Sequence, residues 1–340
     1  MRFATCNPMT AQAPLDPASQ HDAAATAAAT AASAASVARI ERQVLATLYN
    51  ARIPVLVGGS VAIVRYTGVQ RPVKDLDLFL RPADFDRAAQ VLAESGCRVE
   101  RAHPHWLGKA HAAGHCVDLI YGSGNGLMPV DEPWFQHARP ASLHGVPVGL
   151  VPPEELLWTK MFVMERERYD GADVLHLLRD LGPILDWARL EERFGTHWRV
   201  LLGHLVMFGY VFPSERRRVP GALLERLLQR LRDESNAEPP PERICRGTLL
   251  SRQQYLRDLD AGWLDARIEE GAMSAAEIAE WTAGIALDGD GAAAASSAAP
   301  APAPAPAPFM PFRRRAVDRG ELPATPTLST PRRRAADRWS

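Results

Sequence analysis

The spacing of apolar and polar residues divides the first part of the chain into short elements of alternating type. Apolar positions recur every three to four residues in some segments, as on a helix face, and every second residue in others, as in a strand. Glycines separate several of these segments and are typical of tight turns. The pattern predicts helices at 38–49, 60–67 and 83–95, and strands at 54–57, 75–80, 96–101 and 116–121.

From Pro153 onward the pattern is helical and the strand patterns stop. Alternating strands and helices followed by helices alone indicate an α+β core and then an all-helical half. The predicted core covers 37–150 and the predicted helical domain covers 151–286. The helical patterns lie at 153–181, 185–193, 198–208 and 222–232.

The two ends of the chain differ from this middle part in composition. Residues 1–36 are rich in Ala, Ser, Thr and Pro and are predicted to be disordered, although the alanine run from Ala23 can extend the next helix. Residues 287–340 are predicted to be a disordered Ala/Pro linker and an arginine tail, in which 312–319 recur as 331–338. The repeat fits either a solvated tail or a docking motif for an anionic partner, such as RNA or an acidic protein surface.

The near-neutral charge of the chain hides an uneven distribution. Lys+Arg number 39 and Asp+Glu number 40, but residues 309–340 alone contain eight Arg and three acids. The remainder is therefore acidic, which disfavours a uniformly basic nucleic-acid-binding surface but not a basic tail. Four scattered cysteines, no membrane-length apolar run and no secretory apolar region at the N-terminus favour a cytoplasmic protein.

A Gly58-Gly59-Ser60 turn joins the first predicted strand to the next helix. Glycine lets the backbone turn sharply and approach a ligand, and the helix N-terminus beyond it favours a phosphate. Ser60 is placed either to cap the helix or to add a hydroxyl to the phosphate site. The alternative interpretation is a packing turn with no ligand.

Three acidic residues lie on two of the predicted strands. Asp75 and Asp77 alternate with leucines, so both carboxylates project from one strand face. Adjacent acids repel each other unless a cation lies between them, and Mg²⁺ takes such oxygen ligands together with substrate phosphates. The alternative is a solvated edge-strand face. Asp118 lies in an apolar strand, where a lone acid is exposed or salt-bridged unless it joins the other two.

The order of these pieces resembles the DNA polymerase β-type nucleotidyltransferase superfamily. In that superfamily a strand–Gly-Gly/Ser–helix turn precedes an Asp-x-Asp strand and a third acid on a later strand. Arg71, four residues before Asp75, is similar to the lead-in of stand-alone bacterial members. Residues 153–160 and 165–173 resemble the stretch that opens the helical half in the branch of abortive-infection and toxin–antitoxin nucleotidyltransferases. The resemblance covers residues 40–180 and implies a mixed sheet with flanking helices.

The resemblance implies Mg²⁺-dependent transfer of NMP from an NTP to a hydroxyl acceptor by a two-metal mechanism. Asp75, Asp77 and Asp118 would be the catalytic metal ligands, and Asp118 would also assist deprotonation of the acceptor. The acceptor remains open between a protein side chain, an RNA end and a small molecule.

The resemblance also implies a set of nucleotide-binding residues: Gly58, Gly59, Ser60, Arg71, Lys109, Lys160 and Asp173. Lys160 would neutralise phosphate charge as a further catalytic residue, and the alternative is a solvated helix lysine. Asp173 lies on the same helical face as Asp170 and either orients Lys160 or Arg168 or is an exposed charge.

Two further patterns invite site interpretations. His103, His105, His111 and His115 lie near two cysteines, but their spacing matches no common closed zinc site. The preferred interpretation is a hairpin that reaches the active site, where His105, Trp106 and Lys109 touch the nucleobase or acceptor. The glycine run at 122–126 follows a strand, but prolines at 129 and 133 break any following helix, which excludes a dinucleotide loop.

Two other function classes were weighed against the enzyme. The first is a non-catalytic nucleotide-binding or antitoxin-like interaction protein on the same fold, which usually lacks one of the acids. All three candidate acids are present here, which favours the enzyme. The second is a helical scaffold with a basic docking tail, which leaves the strand with Asp75 and Asp77 unexplained.

Overall fold

A seven-stranded mixed sheet forms the first half of the protein. Its strands are β1 (Leu56–Val57), β2 (Leu76–Phe79), β3 (Arg98–His103), β4 (Leu107–Ala112), β5 (His115–Ile120), β6 (Arg139–Leu143) and β7 (Val146–Leu150). In the computed structural model, which describes residues 17–285 except Pro72 and Lys74, the spatial order is β3-β4-β5-β2-β1-β7-β6. Strand β1 is antiparallel to β2 and parallel to β7, and β2 is parallel to β5. The predicted α+β fold with a mixed sheet is confirmed.

Three of these strands carry patterns too weak to be predicted from the sequence. Strand β4 is built largely of Gly, Ala, Lys and His, and β6 and β7 each contain a proline, which cannot donate to the ladder. The β6–β7 hairpin turns at His144 and Gly145, whose φ angles are +50° and +79°. Two consecutive positive φ angles give the turn whose twist matches the strands, and His-Gly signals it less clearly than Asn-Gly.

Helices cover the sheet and then continue alone. They are α1 (Pro17–Asn50), α2 (Gly59–Thr67), α3 (Phe85–Glu94), α4 (Glu132–Gln136), α5 (Pro153–Met161), α6 (Gly171–Leu181), α7 (Trp187–Phe194), α8 (Trp198–Val211) and α9 (Gly221–Asn236). Helix α1 begins well before residue 36, as in the alternative in which the alanine run extends it. The predicted disordered linker and arginine tail lie outside the described residues.

The single helical pattern predicted over 153–181 is wrong, because the structure has two helices joined by a non-helical segment at 162–170. In that segment Met164 and Tyr169 form a short antiparallel bridge. The carboxylate of Glu165 accepts hydrogen bonds from Ser251 Oγ at 2.5 Å and from the backbone N–H of Arg252 at 2.7 Å. Long-range contacts therefore override a local pattern that is compatible with helix.

The helical half packs directly on the sheet. One hydrophobic cluster contains Leu56, Phe79 and Ile120 from the strands together with residues of α5 to α9, including Leu178 and Phe208. This shared core fixes the end of α5 relative to β2 and β5. In the part of the chain that the structure describes, none of the helices combines the length and apolarity needed to cross a membrane.

A compensated charge network ties α5 to α7. Glu154 and Glu155 are buried, and Arg189 contacts both carboxylates, with 2.7 Å between its Nη1 and Glu154 Oε2. Arg193 donates to Glu155 Oε1 at 3.0 Å and makes a bidentate pair with Asp131 at 2.8 and 2.9 Å. Each acid therefore has a guanidinium partner, and the network joins two helices and the start of a third.

Residues 244–285 form a separate run of short elements after the exposed proline-rich break at 238–242, and we name this run the C-terminal strap. Inside it, Arg267 is fully buried and paired with Asp265. A capping box of Ser274 and Glu277 starts its last helix. The strap contains β8 (Ile244–Cys245), α10 (Leu256–Asp260), β9 (Leu264–Asp265), α11 (Ala266–Glu269) and α12 (Ala275–Thr282).

Candidate active site

The glycine turn between β1 and α2 lies directly against β2. The N–H of Gly58 donates to the carbonyl of Asp77 at 3.0 Å, and a Cβ on Gly58 would lie 2.2 Å from the ring of Phe79. Gly59 has φ +52°, and a Cβ there would lie 1.5 Å from Asp77 Oδ2. A side chain at either position would clash, so glycine is required for the backbone to touch the Asp77 carboxylate.

Ser60 does not cap helix α2, because Gly58 occupies the N-cap and no side chain bonds there. The capping alternative is therefore wrong. Instead, Ser60 Oγ accepts a hydrogen bond from Arg71 Nη2 at 2.8 Å, and Arg71 also pairs with Asp173. Three of the predicted nucleotide-binding residues thus form one chain of contacts from the glycine turn to helix α6.

Asp77 and Asp118 lie side by side on adjacent parallel strands. They are partners in the β2–β5 register, so their side chains project to the same face of the sheet. Burial, and next the charge of Asp118, raise the pKa of Asp77 to about 6, against the lowering effect of Lys160. No hydrogen bond or ion pair among the described residues engages the Asp77 carboxylate. Asp77 is therefore held beside a like charge with no direct cationic contact among the described residues, and the charges of Lys160 and Arg168 offset this only in part.

Asp75 and Lys109 lie beside this pair, in positions that differ from those predicted. Asp75 is exposed at the bend that precedes β2, although its charge still contributes to raising the pKa of Asp77. Lys109, on β4 opposite Asp118, places its Nζ 2.7 Å from Asp118 Oδ1. Burial lowers the pKa of Lys109, but the contact with Asp118 raises it more. Lys109 is thus a partner of the third acid.

Lys160 is buried at the end of α5, so the alternative of a solvated helix lysine is wrong. Its Nζ lies 2.7 Å from Asp170 Oδ2 and 3.1 Å from Asp173 Oδ2. Arg168 also pairs with Asp170 at 2.9 Å. Although burial raises the pKa of Asp170, Arg168 and Lys160 together hold it below its usual value. Asp173 therefore contacts Lys160, one of the two partners predicted for it, and also Arg71, which was not predicted as its partner.

These side chains open into a cavity of about 380 Å³, which we name the cleft. Four of the predicted site residues line it: Gly59, Asp77, Asp118 and Lys160. Gly58, Ser60, Arg71, Lys109, Asp75 and Asp173 lie behind or beside these residues and are not among its lining residues. The cleft therefore brings together one acid from β2, one acid from β5, Gly59 and Lys160.

The sequence pattern gave no indication that the C-terminal strap contributes to the cleft. Residues 248–252 and Trp281 line its far end, opposite Trp106, Ile120 and Met128 of the sheet half. The predicted hairpin of β3 and β4 carries Trp106 into this wall. His105, predicted beside it, lies with its Nε2 3.2 Å from the carbonyl oxygen of Gly124. A contact between residues more than a hundred positions apart leaves no local signature, so sequence spacing gave no access to it.

The carboxylate oxygens of Asp77 and Asp118 are the kind of ligand that a divalent cation prefers. Among the described residues, no three acidic, histidine or cysteine side chains stand close enough together to hold a metal ion as they are. However, Asp77 and Asp118 are adjacent, Asp77 has no cationic partner, and the glycine cradle excludes any side chain at Gly59. Mg²⁺ is commonly held by one or two carboxylates plus substrate phosphates, which matches this pair.

A glycine turn pressed against one of two adjacent carboxylates, on a mixed sheet capped by helices, defines a nucleotidyltransferase-type site. The chain belongs to the uncharacterised nucleotidyltransferase family, whose profile matches residues 10–200 and thus more than half of its length. By family it is a nucleotidyltransferase enzyme. No curated protein matches the chain.

Several solved structures are similar to this chain. A putative nucleotidyltransferase from Thermotoga maritima is 19% identical over 35% of this chain and 80% of its own, with a TM-score of 0.29. ANT(2″)-Ia in complex with adenylyl-2″-tobramycin is 17% identical over 58% of this chain and 99% of its own, with a TM-score of 0.32. An antigenic nucleotidyltransferase-like protein from Paracoccidioides brasiliensis is 15% identical over 52% and 89%, with a TM-score of 0.35. These similarities concern the fold, and the family assignment rests on the profile.

Proposed function

We propose that the protein transfers a nucleoside monophosphate from an NTP to a hydroxyl acceptor in the cleft. The observation that carries the proposal is the register of β2 and β5, which sets Asp77 beside Asp118 while Gly59 contacts Asp77. Asp118 is paired with Lys109, whereas Asp77 has no direct cationic contact among the described residues. Holding the two carboxylates side by side is costly, and binding of a cation or a metal-bound phosphate group would remove that cost.

In the proposed reaction the acceptor oxygen forms a bond to the α-phosphorus of the NTP. The bond from that phosphorus to the oxygen bridging to the β-phosphate breaks, and pyrophosphate leaves. The proton of the acceptor hydroxyl passes to the carboxylate of Asp118. Lys109, 2.7 Å from Asp118, orients that carboxylate for the transfer.

Asp77 and Asp118, with Asp75 at the edge of the strand, are proposed to hold Mg²⁺, in two ions as the sequence resemblance implies. Bound Mg²⁺ supplies charge neutralisation and orientation of the triphosphate. Asp77 must ionise to bind a cation, and its pKa of about 6 places that ionisation below physiological pH.

The phosphates are proposed to lie between the glycine turn and Lys160. The N-terminus of α2 offers backbone N–H groups at Gly59 and Ser60. Lys160 has three N–H donors and two carboxylate partners, Asp170 and Asp173, so it retains a donor for a phosphate oxygen. Arg71 and Asp173 act behind these groups by linking Ser60 to Lys160.

The acceptor stays open between a protein side chain, an RNA end and a small molecule. Membership of the abortive-infection and toxin–antitoxin branch is part of the proposal, and it rests on the resemblance of residues 153–173. The arginine repeat of the tail, at 312–319 and 331–338, favours an anionic partner.

The test is incubation of the full chain with each α-labelled NTP, Mg²⁺ and cell lysate, followed by separation of protein, RNA and small molecules. We expect label in one fraction with the wild type and none with Asp75→Ala/Asp77→Ala. Asp86→Ala serves as the matched control, because Asp86 is an exposed carboxylate on α3 away from the cleft.

Two results would count against the proposal, and a third would show that the assay measures folding. Wild type that neither labels any fraction nor binds any NTP contradicts it outright. Equal labelling by the double aspartate variant contradicts the assigned site. Loss of labelling by Asp86→Ala would show that the assay reports folding instead of chemistry, and melting curves of all three proteins identify that case.

A further inference from the structure

The far end of the cleft is apolar and is closed by the C-terminal strap. Leu249, Leu250 and Trp281 of the strap line this end together with Trp106 and Met128 of the sheet half, and the rings of Trp281 and Trp106 are in edge-to-face contact. The family profile ends at residue 200, so this wall comes from a part of the chain beyond the matched region. The charged end of the cleft therefore lies within the region that the profile matches, and the aromatic end is completed by the strap.

The strap is fixed to the rest of the site by hydrogen bonds rather than resting loosely on it. The N–H of Met164 donates to the carbonyl of Leu250 at 3.1 Å, and Asn125 Nδ2 donates to the carbonyl of Leu249 at 2.8 Å. Glu165 accepts hydrogen bonds from Ser251 and the backbone of Arg252. The aromatic end is thus preorganised, because its backbone is held on both sides.

The glycine run at 122–126 is explained by this contact. A Cβ on Gly124 would lie 2.8 Å from the ring of Trp281, and one on Gly126 would lie 2.3 Å from the carbonyl oxygen of Ala272. The run is therefore a seat on which the strap packs closely. The glycine run is not a dinucleotide loop, but it lines the cleft and supports the strap that closes it.

The aromatic end favours a flat ring over a polar group. The rings of Trp106 and Trp281 lie 5.5 Å apart at 87°, and Arg252 covers one side of Trp281 at 4.4 Å. Asn125 and Ser251 are already engaged, Asn125 with Leu249 and Leu127 and Ser251 with Glu165. Trp106 Nε1 and Arg252 Nε are buried without a hydrogen-bond partner, so a ring bound here would be held by aromatic contact and would meet two N–H donors.

We propose that Trp106 and the strap residues around Trp281 form the subsite for the heterocyclic base of the NTP. This inference rests on the proposed function, which places the triphosphate at the opposite, charged end of the same cleft. Because aromatic contact accepts any base, the subsite accepts all four NTPs and binds the larger purines more tightly. The strap then supplies the contacts to the base, and the charged end supplies the contacts to the triphosphate.

The test compares ligands with and without a base by isothermal titration calorimetry in Mg²⁺. ATP, CTP and inorganic tripolyphosphate are titrated into the full chain and into Trp281→Ala. We expect about tenfold weaker binding of ATP to the variant, the scale of losing one base–aromatic contact, and unchanged binding of tripolyphosphate. Trp263→Ala is the matched control, because Trp263 belongs to the same strap, is half-exposed and does not line the cleft.

Gly124→Ala provides a second variant that leaves Trp281 itself intact. Its new Cβ would push the Trp281 ring away, so ATP binding should again weaken while tripolyphosphate binding stays the same. Trp281→Phe should restore most of the ATP affinity, because it keeps an aromatic wall.

The outcomes separate this inference from the proposed function. Wild type that binds neither ATP nor tripolyphosphate contradicts the proposed function itself. Wild type that binds both, with Trp281→Ala weakening both equally or neither, overturns only the base subsite. Equal ATP loss in Trp263→Ala would overturn it as well, because the effect would then belong to strap folding.

Discussion

Two clusters of charged side chains lie close to helix α5, and they are balanced in opposite ways. Behind the helix, Glu154 and Glu155 each have a guanidinium partner from α7. At the cleft, Asp77 and Asp118 share one sheet face and Asp77 has no cationic partner in the described residues. Buried charge is stabilising only when compensated, so the first cluster supports the fold and the second is maintained at the expense of stability.

The largest effect on stability is expected from removing the arginine that compensates Glu154 and Glu155. Arg189→Met leaves Glu154 unpaired and Glu155 with Arg193 alone, and breaking a buried pair typically costs about 3–5 kcal/mol. We expect urea unfolding to show a loss of that size. Arg199→Met, which removes a half-exposed pair with Glu234, should cost less than about 1 kcal/mol. Equal losses would remove the distinction between the clusters.

The second prediction concerns the cleft, where a substitution removes a charge that has no direct partner. Asp77→Asn removes one of two like charges, so nucleotidyl transfer should fall roughly a hundredfold to a thousandfold, the range for losing one preorganised electrostatic group. Stability should be unchanged or higher, because the uncompensated charge is gone. Transfer from α-labelled NTP and a melting curve on the same protein measure both. If the variant loses both activity and stability, Asp77 contributes to the stability of the fold, and the contrast between the two clusters is wrong.

The two ends of α2 offer a finer test. Gly59 and Gly68 both have positive φ, +52° and +68°, but only Gly59 faces another atom, since a Cβ on Gly68 meets nothing within 4 Å. Gly68→Ala should cost about 1 kcal/mol from backbone strain and leave transfer intact. Gly59→Ala should cost about 1–3 kcal/mol more and displace Asp77, which lowers transfer about tenfold or more. Equal transfer activity in the two variants would show that the glycine turn has no role in the reaction.

A pH dependence of stability in metal-free protein gives a further test. The folded-state pKa of Asp77, about 6, lies above that of an unfolded Asp, so the folded state binds its proton more tightly. Stability is therefore lost as pH rises from about 4 to about 6, by about 3 kcal/mol, and stays constant above that range. Unfolding of wild type and Asp77→Asn in EDTA across this range should show a difference that grows with pH. A difference that shrinks would have the wrong sign.

What the sequence predicted correctly was local or set by strand period. The turn at Gly58-Gly59 and the alternation of Leu76-Asp77-Leu78 depend on neighbouring residues, so their elements and their order follow from the pattern. That Asp118 belongs beside Asp77 was implied only by the resemblance to a known family, and the parallel β2–β5 pairing that brings them together was not predicted. No local rule connects strands forty residues apart.

What the sequence missed was set by contacts across the chain. The role of Lys109 as the partner of Asp118 depends on the β4–β5 register, and β4 has no clear strand pattern. The stretch at 153–160 resembles a single motif, but its two glutamates bind α7 while Lys160 lies in the cleft. Lys160 follows Glu154 and Glu155 by six and five residues, so the helix period turns it to another side of α5, and the packing of α5 decides which partners each side meets.

The register of β2 and β5 also limits how this protein can evolve. Each strand alternates faces, so inserting or deleting one residue within Leu76–Phe79 or His115–Ile120 would turn one carboxylate into the core. Lengthening the loops that join these strands carries no such penalty. Descendants of this sequence should therefore differ in loop length and in the strap while the spacing within the two acidic strands stays fixed.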